Sequence, residues 1–223
     1  LARHAHRRGI EVAALKPLET GVVEHATDAE ALARASGRPE LASLPGLYRV
    51  APAVSPFTAT RRGLPPVPSN ATLREVISNV SAELWLVEGA GGVLVPLDAE
   101  RSIADLIAAL GLPAVLVARN GLGVLSHTRA AYEALTQRAV HVAAIVLTEH
   151  GVFDESQQDN LAILSELLPT PVVRFPSSHD DDDALADRAV AEERLGAGAG
   201  VQRGEIQSGG HVGPPRWIVR PRA

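Results

Sequence analysis

Leu84-Trp85-Leu86-Val87-Glu88-Gly89-Ala90-Gly91-Gly92 decides the fold of this 223-residue chain. Four consecutive apolar residues with no polar face read as a strand covered on both sides. The strand stops at a carboxylate followed by a glycine-rich turn, where backbone can approach a ligand closely. Downstream, the pattern repeats with regular spacing. Residues 102–110 read as a helix stopped by Gly111, 114–117 as a strand, 124–138 as a helix and 140–147 as a strand. Residues 154–168 read as a helix, 172–173 open a short strand, and 181–195 form a last, acidic helix. Upstream, residues 1–9 read as the end of a helix with Gly9 as its cap, and 10–15 as a buried strand. Residues 17–25 read as a loop hinged at Gly21, and 28–35 as a helix capped by Thr27. The proline-rich stretch 38–68 carries one weak strand near 47–50, and Ser69 or Asn70 starts a helix that reaches Asn79.

Strand and helix alternating at this spacing imply βαβ units, hence an α/β fold with a mostly parallel sheet and helices on both faces. One domain over residues 1–195 is expected, followed by a Gly/Pro/Arg-rich disordered tail over 196–223. Hydrophobic residues at 46% and charged residues at 21% exclude a wholly disordered chain. No apolar run reaches the roughly 18–20 residues that span a bilayer. A net charge of −5 argues against nucleic acid as a partner. The absence of cysteine excludes disulfides, iron–sulfur clusters and thiolate zinc sites. The chain opens Leu1-Ala2-Arg3-His4, which reads as the interior of a helix, and it carries no secretory signal pattern. The cytoplasm is the expected compartment.

In open parallel sheets ligands bind beyond the carboxyl ends of the strands. Lys16, the only lysine in a chain otherwise rich in arginine, follows the first strand. Its compact ammonium suits phosphate or carbamate oxygens, although a lone lysine surviving on the surface is the plainer alternative. Glu88 closes the next strand, where a carboxylate can hold Mg²⁺, or simply face solvent beside a glycine turn. Asp28 at a helix start needs no reason beyond the helix dipole, yet with Lys16 and Glu88 it completes a set suited to a Mg–nucleotide. Gly121 through Thr128 opens a helix whose free N–H groups can take a carboxylate or phosphate, with Ser126 and Thr128 as alternative caps and His127 ambiguous. His179 beside Asp180 to Asp183 invites a metal, but solvated acids at a helix start explain it better. Trp85 reads as core.

These residues, in order, resemble the dethiobiotin synthase family of ATP-dependent enzymes. Lys16-Pro17 with Thr20-Gly21 is similar to the family's K-P-x-x-[ST]-G segment, and Thr27-Asp28-Ala29 to its metal-binding helix start. Pro52 with Ser55-Pro56 resembles a P-x-x-S-P turn. Val87-Glu88-Gly89-Ala90-Gly91-Gly92 is the most specific match, and Gly123 through Ser126-His127-Thr128 resembles a G-x-x-[NS]-H-[ST] helix start. Pro176 falls where the family has a proline near the adenine. The family's first strand and its phosphate loop of the G-x-x-x-x-x-G-K-T type belong before residue 1, so this P-loop NTPase-like sheet is expected to lack them here.

The resemblance implies closure of a cyclic urea on 7,8-diaminopelargonic acid from CO₂ (or bicarbonate) and ATP, with Mg²⁺, in a cytoplasmic homodimer. It implies Lys16 as the catalytic residue, Thr20, Gly123 and Ser126 on the substrate, and Glu88, Gly89, Ala90, Gly91 and Pro176 on the nucleotide. Asp28 and Glu88 are its metal ligands. Two alternatives stay open from the sequence: another P-loop amidoligase, such as a cobyrinic acid diamide synthase, or a non-catalytic remnant.

Overall fold

The computed structural model describes residues 1–22, 27–149 and 155–175, and the backbone of 216–219. The central sheet is built from β1 (Val12–Leu15), β4 (Leu84–Glu88), β5 (Ala114–Arg119), β6 (Val142–Thr148), β7 (Val172–Phe175) and β8 (Arg216–Val219). Their order is β1-β4-β8-β5-β6-β7, and every pairing is parallel. β2 (Leu18–Thr20) and β3 (Tyr48–Val50) form a separate parallel pair beside it. The helices are α1 (Ala2–Arg7), α2 (Asp28–Ala35), α3 (Pro56–Arg61), α4 (Asn70–Ser78), α5 (Ile103–Leu110), α6 (Val124–Thr136) and α7 (Gln157–Leu167).

Alternation along β1 and β4 shows why both faces are covered. Val12, Ala14 and Leu86 pack with Ala2 and Ala5 of α1 and with Leu32 and Ala35 of α2. Their neighbours Ala13, Leu15, Trp85 and Val87 join the larger core with Leu73 and Ile77 of α4 and Ile103, Leu106 and Ile107 of α5. A strand flanked by helices on each side must be apolar at consecutive positions, as 84–87 is. Trp85 is buried and its indole N–H donates to the Val80 carbonyl at 3.0 Å, which gives the polar tip the partner that burial demands. No helix among the described residues is long and apolar enough to cross a membrane.

Local sequence accounts for most of the boundaries. Thr27 Oγ1 accepts from the Glu30 N–H at 3.1 Å while Glu30 Oε2 accepts from the Thr27 N–H at 3.2 Å, a reciprocal cap that starts α2. Ser69 caps α4 through the Thr72 N–H, and Gly111 ends α5 in the left-handed region at φ 69°.

Three expectations are corrected. Residues 17–25 are not all loop: Leu18–Thr20 forms β2, because Lys16-Pro17 turns the chain onto the partner strand that Tyr48–Val50 provides. The proline-rich stretch 38–68 also holds α3, which Ser55 caps and Pro56 opens at a position where the missing N–H costs nothing. The C-terminal stretch is not wholly unstructured. Residues 216–219, β-branched and aromatic in part, pair with Leu86–Glu88 on one side and Ala114–Leu116 on the other. The expected helix at 181–195, the His179 acidic run and the remaining tail positions lie outside the described residues.

Candidate active site

β1 and β4 run side by side, Leu15 pairing with Val87, so the next residues, Lys16 and Glu88, emerge together at the carboxyl edge. Lys16 is 6% exposed, and its Nζ lies 3.0 Å from Glu88 Oε1 and 3.0 Å from Asp28 Oδ2. Asp28 arrives from α2, whose cap fixes the first turn beside the strand ends. One buried ammonium thus bridges two carboxylates, and the three groups are delivered by β1, α2 and β4.

These groups line a cavity of about 400 Å³ together with Glu19, Thr20, Ser55, Pro56 and the Gly89–Gly91 backbone. Two glycines shape its walls. Gly21, at φ 76°, donates its N–H to the Pro52 carbonyl at 3.0 Å, and a Cβ there would stand 3.1 Å from that of Ala53. Gly91, also at φ 76°, would bring a Cβ to 3.0 Å from Val95 Cγ2. Ala53, Ser55 and Pro56 and the turn after Glu88 thus line the same cavity as Lys16.

The charge balance suits a divalent cation bound with phosphate. Two carboxylates face one ammonium, and Glu19 adds a third carboxylate to the same cavity wall. Among the described residues no group of three or more His, Cys, Asp or Glu could hold a metal by themselves. Mg²⁺ is commonly held by one or two carboxylates, with waters and substrate phosphates completing its octahedron, so Asp28 and Glu88 fit that role.

A second cavity, about 610 Å³ and mostly apolar, lies beyond the glycine turn. Gly92, Val93 and Leu94 form one wall, and β5, Leu122, His127 and Thr128 form the others. The two cavities share the 89–95 turn as a partition. Gly123, at φ 91°, is the N-cap of α6, so neither Ser126 nor Thr128 caps it. Thr128 is buried, lines the larger cavity, and its Oγ1 has no hydrogen-bond partner among the described residues. Ser126 is exposed and lines neither cavity.

The structure thus brings together Lys16, Thr20, Asp28, Glu88, Gly89, Ala90 and Gly91. It does not bring Gly123 or Ser126 to that group within one chain, and Pro176 lies outside the described residues. Sequence reasoning missed Glu19, which is buried in the site. Its only signal was a charged residue one position after apolar Leu18. It also missed a buried amide cluster at the end of β5. There Asn120 and Gln157 each donate a side-chain N–H to the other's backbone carbonyl, and Asn160 Nδ2 donates to Asn120 Oδ1 at 2.9 Å.

Comparison with known proteins bears on the family. The family model described as an AAA domain matches residues 1–179. An ATP-dependent dethiobiotin synthetase of Anaeromyxobacter dehalogenans (strain 2CP-C) is 40% identical over 158 residues, which cover 70% of each chain. The same enzyme of Mycobacterium leprae (strain Br4923) is 36% identical over 201 residues, 87% of each chain. That of Mycobacterium avium (strain 104) is 39% identical over 206 residues, 89% of this chain and 86% of its own. A parallel sheet of P-loop NTPase type, a lysine and two carboxylates gathered at its carboxyl edge, and kinship over most of the length lead to one assignment: the chain belongs to the family of ATP-dependent dethiobiotin synthetases.

Proposed function

We propose that this site carries out the ATP-dependent closure of a cyclic urea on 7,8-diaminopelargonic acid, acting as a cyclo-ligase in biotin synthesis in the cytoplasm. The observation that carries the reading is Lys16 Nζ at 3.0 Å from both Asp28 Oδ2 and Glu88 Oε1 at the sheet's carboxyl edge. A buried ammonium held by two carboxylates is poised to exchange them for the oxygens of an anionic substrate.

One amine of the substrate takes up CO₂ as a carbamate. The carbamate oxygen attacks the γ-phosphorus of ATP, ADP leaves, and a carbamic–phosphoric anhydride forms. The second amine then attacks the carbonyl carbon, the C–O bond to phosphate breaks, and the five-membered ring closes as phosphate departs. No protein nucleophile takes part, so a chain without cysteine loses nothing. Catalysis is mainly positioning and charge neutralisation.

Lys16 sits where it would neutralise carbamate and γ-phosphate oxygens. Its ammonium is desolvated, which strengthens its attraction for charge that grows in the transition state. Thr20, on the cavity wall, would offer its hydroxyl to the carbamate or the diamine. Asp28 and Glu88 would hold Mg²⁺, which supplies neutralisation of the phosphate oxygens when bound. Gly89, Ala90 and Gly91 would let backbone approach the nucleotide, and Pro176 would border its adenine.

Gly123 and Ser126 would act on the carboxylate end of the diamine from the second subunit of a homodimer. Their distance from the Lys16 cavity within one chain supports a contribution in trans. So do two exposed leucines, Leu94 and Leu122, 55% and 88% exposed, at the larger cavity.

The test is incorporation of labelled CO₂ into an acid-stable product by the full-length protein given ATP, Mg²⁺ and the diamine. The expected result is one ADP released per labelled product, and Lys16→Ala should lower kcat by roughly a hundredfold or more. Glutamine-dependent amidation in place of CO₂ fixation would overturn the assignment.

A further inference from the structure

We propose that Glu19 is a positioning residue of this site: its buried carboxylate holds the first turn of α2 so that Asp28 meets Lys16. The inference rests on the reading of Lys16 and Asp28 as functional groups, and it adds a residue that the recognisable motifs leave unspecified.

Glu19 is 5% exposed, on β2, between buried Leu18 and half-buried Thr20. Burying a carboxylate is costly unless its lone pairs are used. Glu19 Oε1 accepts from the Asp28 N–H at 2.6 Å and from the Ala29 N–H at 3.4 Å. The Glu30 N–H is taken by Thr27 Oγ1. Three consecutive N–H groups at the start of α2 are thus occupied by side chains, two of them by Glu19. A carboxylate at that end of a helix also complements its dipole.

The other oxygen, Oε2, is buried without a hydrogen-bond partner among the described residues and meets only a longer ion pair. β2 and β3 are in register with Glu19 opposite Arg49, and Arg49 Nε lies 3.8 Å from Glu19 Oε2. Arg49 Nη2 is anchored on the Ala42 carbonyl at 2.8 Å. A chain of contacts therefore runs from Arg49 through Glu19 to the backbone of Asp28, and from the Asp28 carboxylate to Lys16 and Glu88. Thr27 and Glu30 already cap α2 as a helix. What Glu19 adds is a fixed distance between that helix and the strand that delivers Lys16, since Glu19 lies three residues after Lys16 in the sequence. Without it, α2 keeps its own cap but loses the tether that sets Asp28 against the lysine.

The experiment compares Glu19→Ala, Glu19→Gln, Asp28→Asn and the Glu19→Ala/Asp28→Asn double variant in the full chain. Ring-closing turnover is followed as a function of Mg²⁺ concentration. If Glu19 acts through Asp28, E19A lowers kcat by about tenfold or more and raises the Mg²⁺ needed for half-maximal rate. The double variant then stays within about twofold of D28N alone. Glutamine keeps an acceptor for the two N–H groups, so E19Q restores activity to within about threefold of the unmodified chain. A loss that only reflected poorer folding would add to that of D28N instead.

A second readout needs no turnover: the Asp28 and Ala29 amides exchange with solvent about tenfold faster or more in E19A and near the original rate in E19Q. The proposal is overturned if E19A exchanges like the unmodified chain, or if D28N impairs turnover while E19A leaves it intact or multiplies the loss. If D28N itself has no effect on turnover, the functional reading of Asp28 fails instead, and amide exchange alone then decides whether Glu19 tethers the helix.

Discussion

Replacing Lys16 by methionine keeps the length of the side chain and removes its charge. Two carboxylates are then left facing a buried apolar tip. At 3.0 Å each pair is worth about 5 kcal/mol of attraction at an effective dielectric near 20, before desolvation is counted. The Asp28 carboxylate is 40% exposed, so water screens much of its share and less than about 1 kcal/mol is expected from that pair. Glu88 is 18% exposed, and a less hydrated charged hydrogen bond contributes about 1.5–3 kcal/mol. The sum is roughly 2–4 kcal/mol, partly offset because the methionine needs no desolvation. At about 2–4 °C per kcal/mol for a domain of this size, thermal unfolding at pH 7 should move down by about 5–10 °C. Added Mg²⁺ at millimolar concentration should recover more of that loss in K16M than it adds to the unmodified chain, since the freed carboxylates become a cation site. Differential scanning fluorimetry with and without Mg²⁺ reads both effects. An unfolding temperature unchanged within about 1 °C and indifferent to Mg²⁺ would refute the reasoning, because Lys16 would then not be what neutralises Asp28 and Glu88.

Two further predictions concern the scaffold and the assembly. Burial alone would raise the pKa of Asp105, but hydrogen bonds from Arg138 Nε at 2.7 Å and from the Ser102 N–H and hydroxyl overcome it and hold the carboxyl at about 2. A folded-state value below the unfolded one stabilises the fold above about pH 4 and is lost as pH falls toward 2; after screening it amounts to about 1–2 kcal/mol. Urea titrations between pH 5 and 2 should show that slope, and Asp105→Asn should flatten it. Leu122 is 88% exposed, so Leu122→Asp should leave the monomer's melting unchanged while weakening self-association by about a hundredfold or more, which analytical ultracentrifugation would show. A chain that is already monomeric at micromolar concentration counts against the homodimer, and a variant that associates as before counts against Leu122 lying in its interface.

The parallel sheet was legible because consecutive apolar residues at 84–87 and 114–117 have no polar face to alternate with, and the glycine and acid punctuation falls at the strand ends. Lys16 and Glu88 were legible because strand ends in a parallel sheet gather at one edge, and Asp28 only as a helix-start acid read together with them. β2 was not legible, since three residues carry no period and its pairing with Tyr48–Val50 is set by the turn at Lys16-Pro17. Glu19 was missed because its partners are backbone N–H groups of another element, which leave no mark in composition. The amide cluster of Asn120, Gln157 and Asn160 joins β5 to α7 across a long separation, and no local spacing announces such a pair. For Ser126 and Thr128 capping stood open beside anion binding; Gly123 takes the cap position, where its φ of 91° suits glycine.

The strand order β1-β4-β8-β5 has a consequence for how the protein is made. The strand between β4 and β5 is supplied by residues 216–219, so a chain emerging from the ribosome has completed both neighbours long before that strand exists. Among the described residues, the two inner edges at Leu86–Glu88 and Ala114–Leu116 have no other strand to pair with during that interval. Closure of the sheet is then a late, long-range event, slow by the same rule that makes non-local pairing slow in general. The yield of native protein should therefore depend on how quickly synthesis runs through the segment after β7, and on chaperones that occupy the open edges until it has.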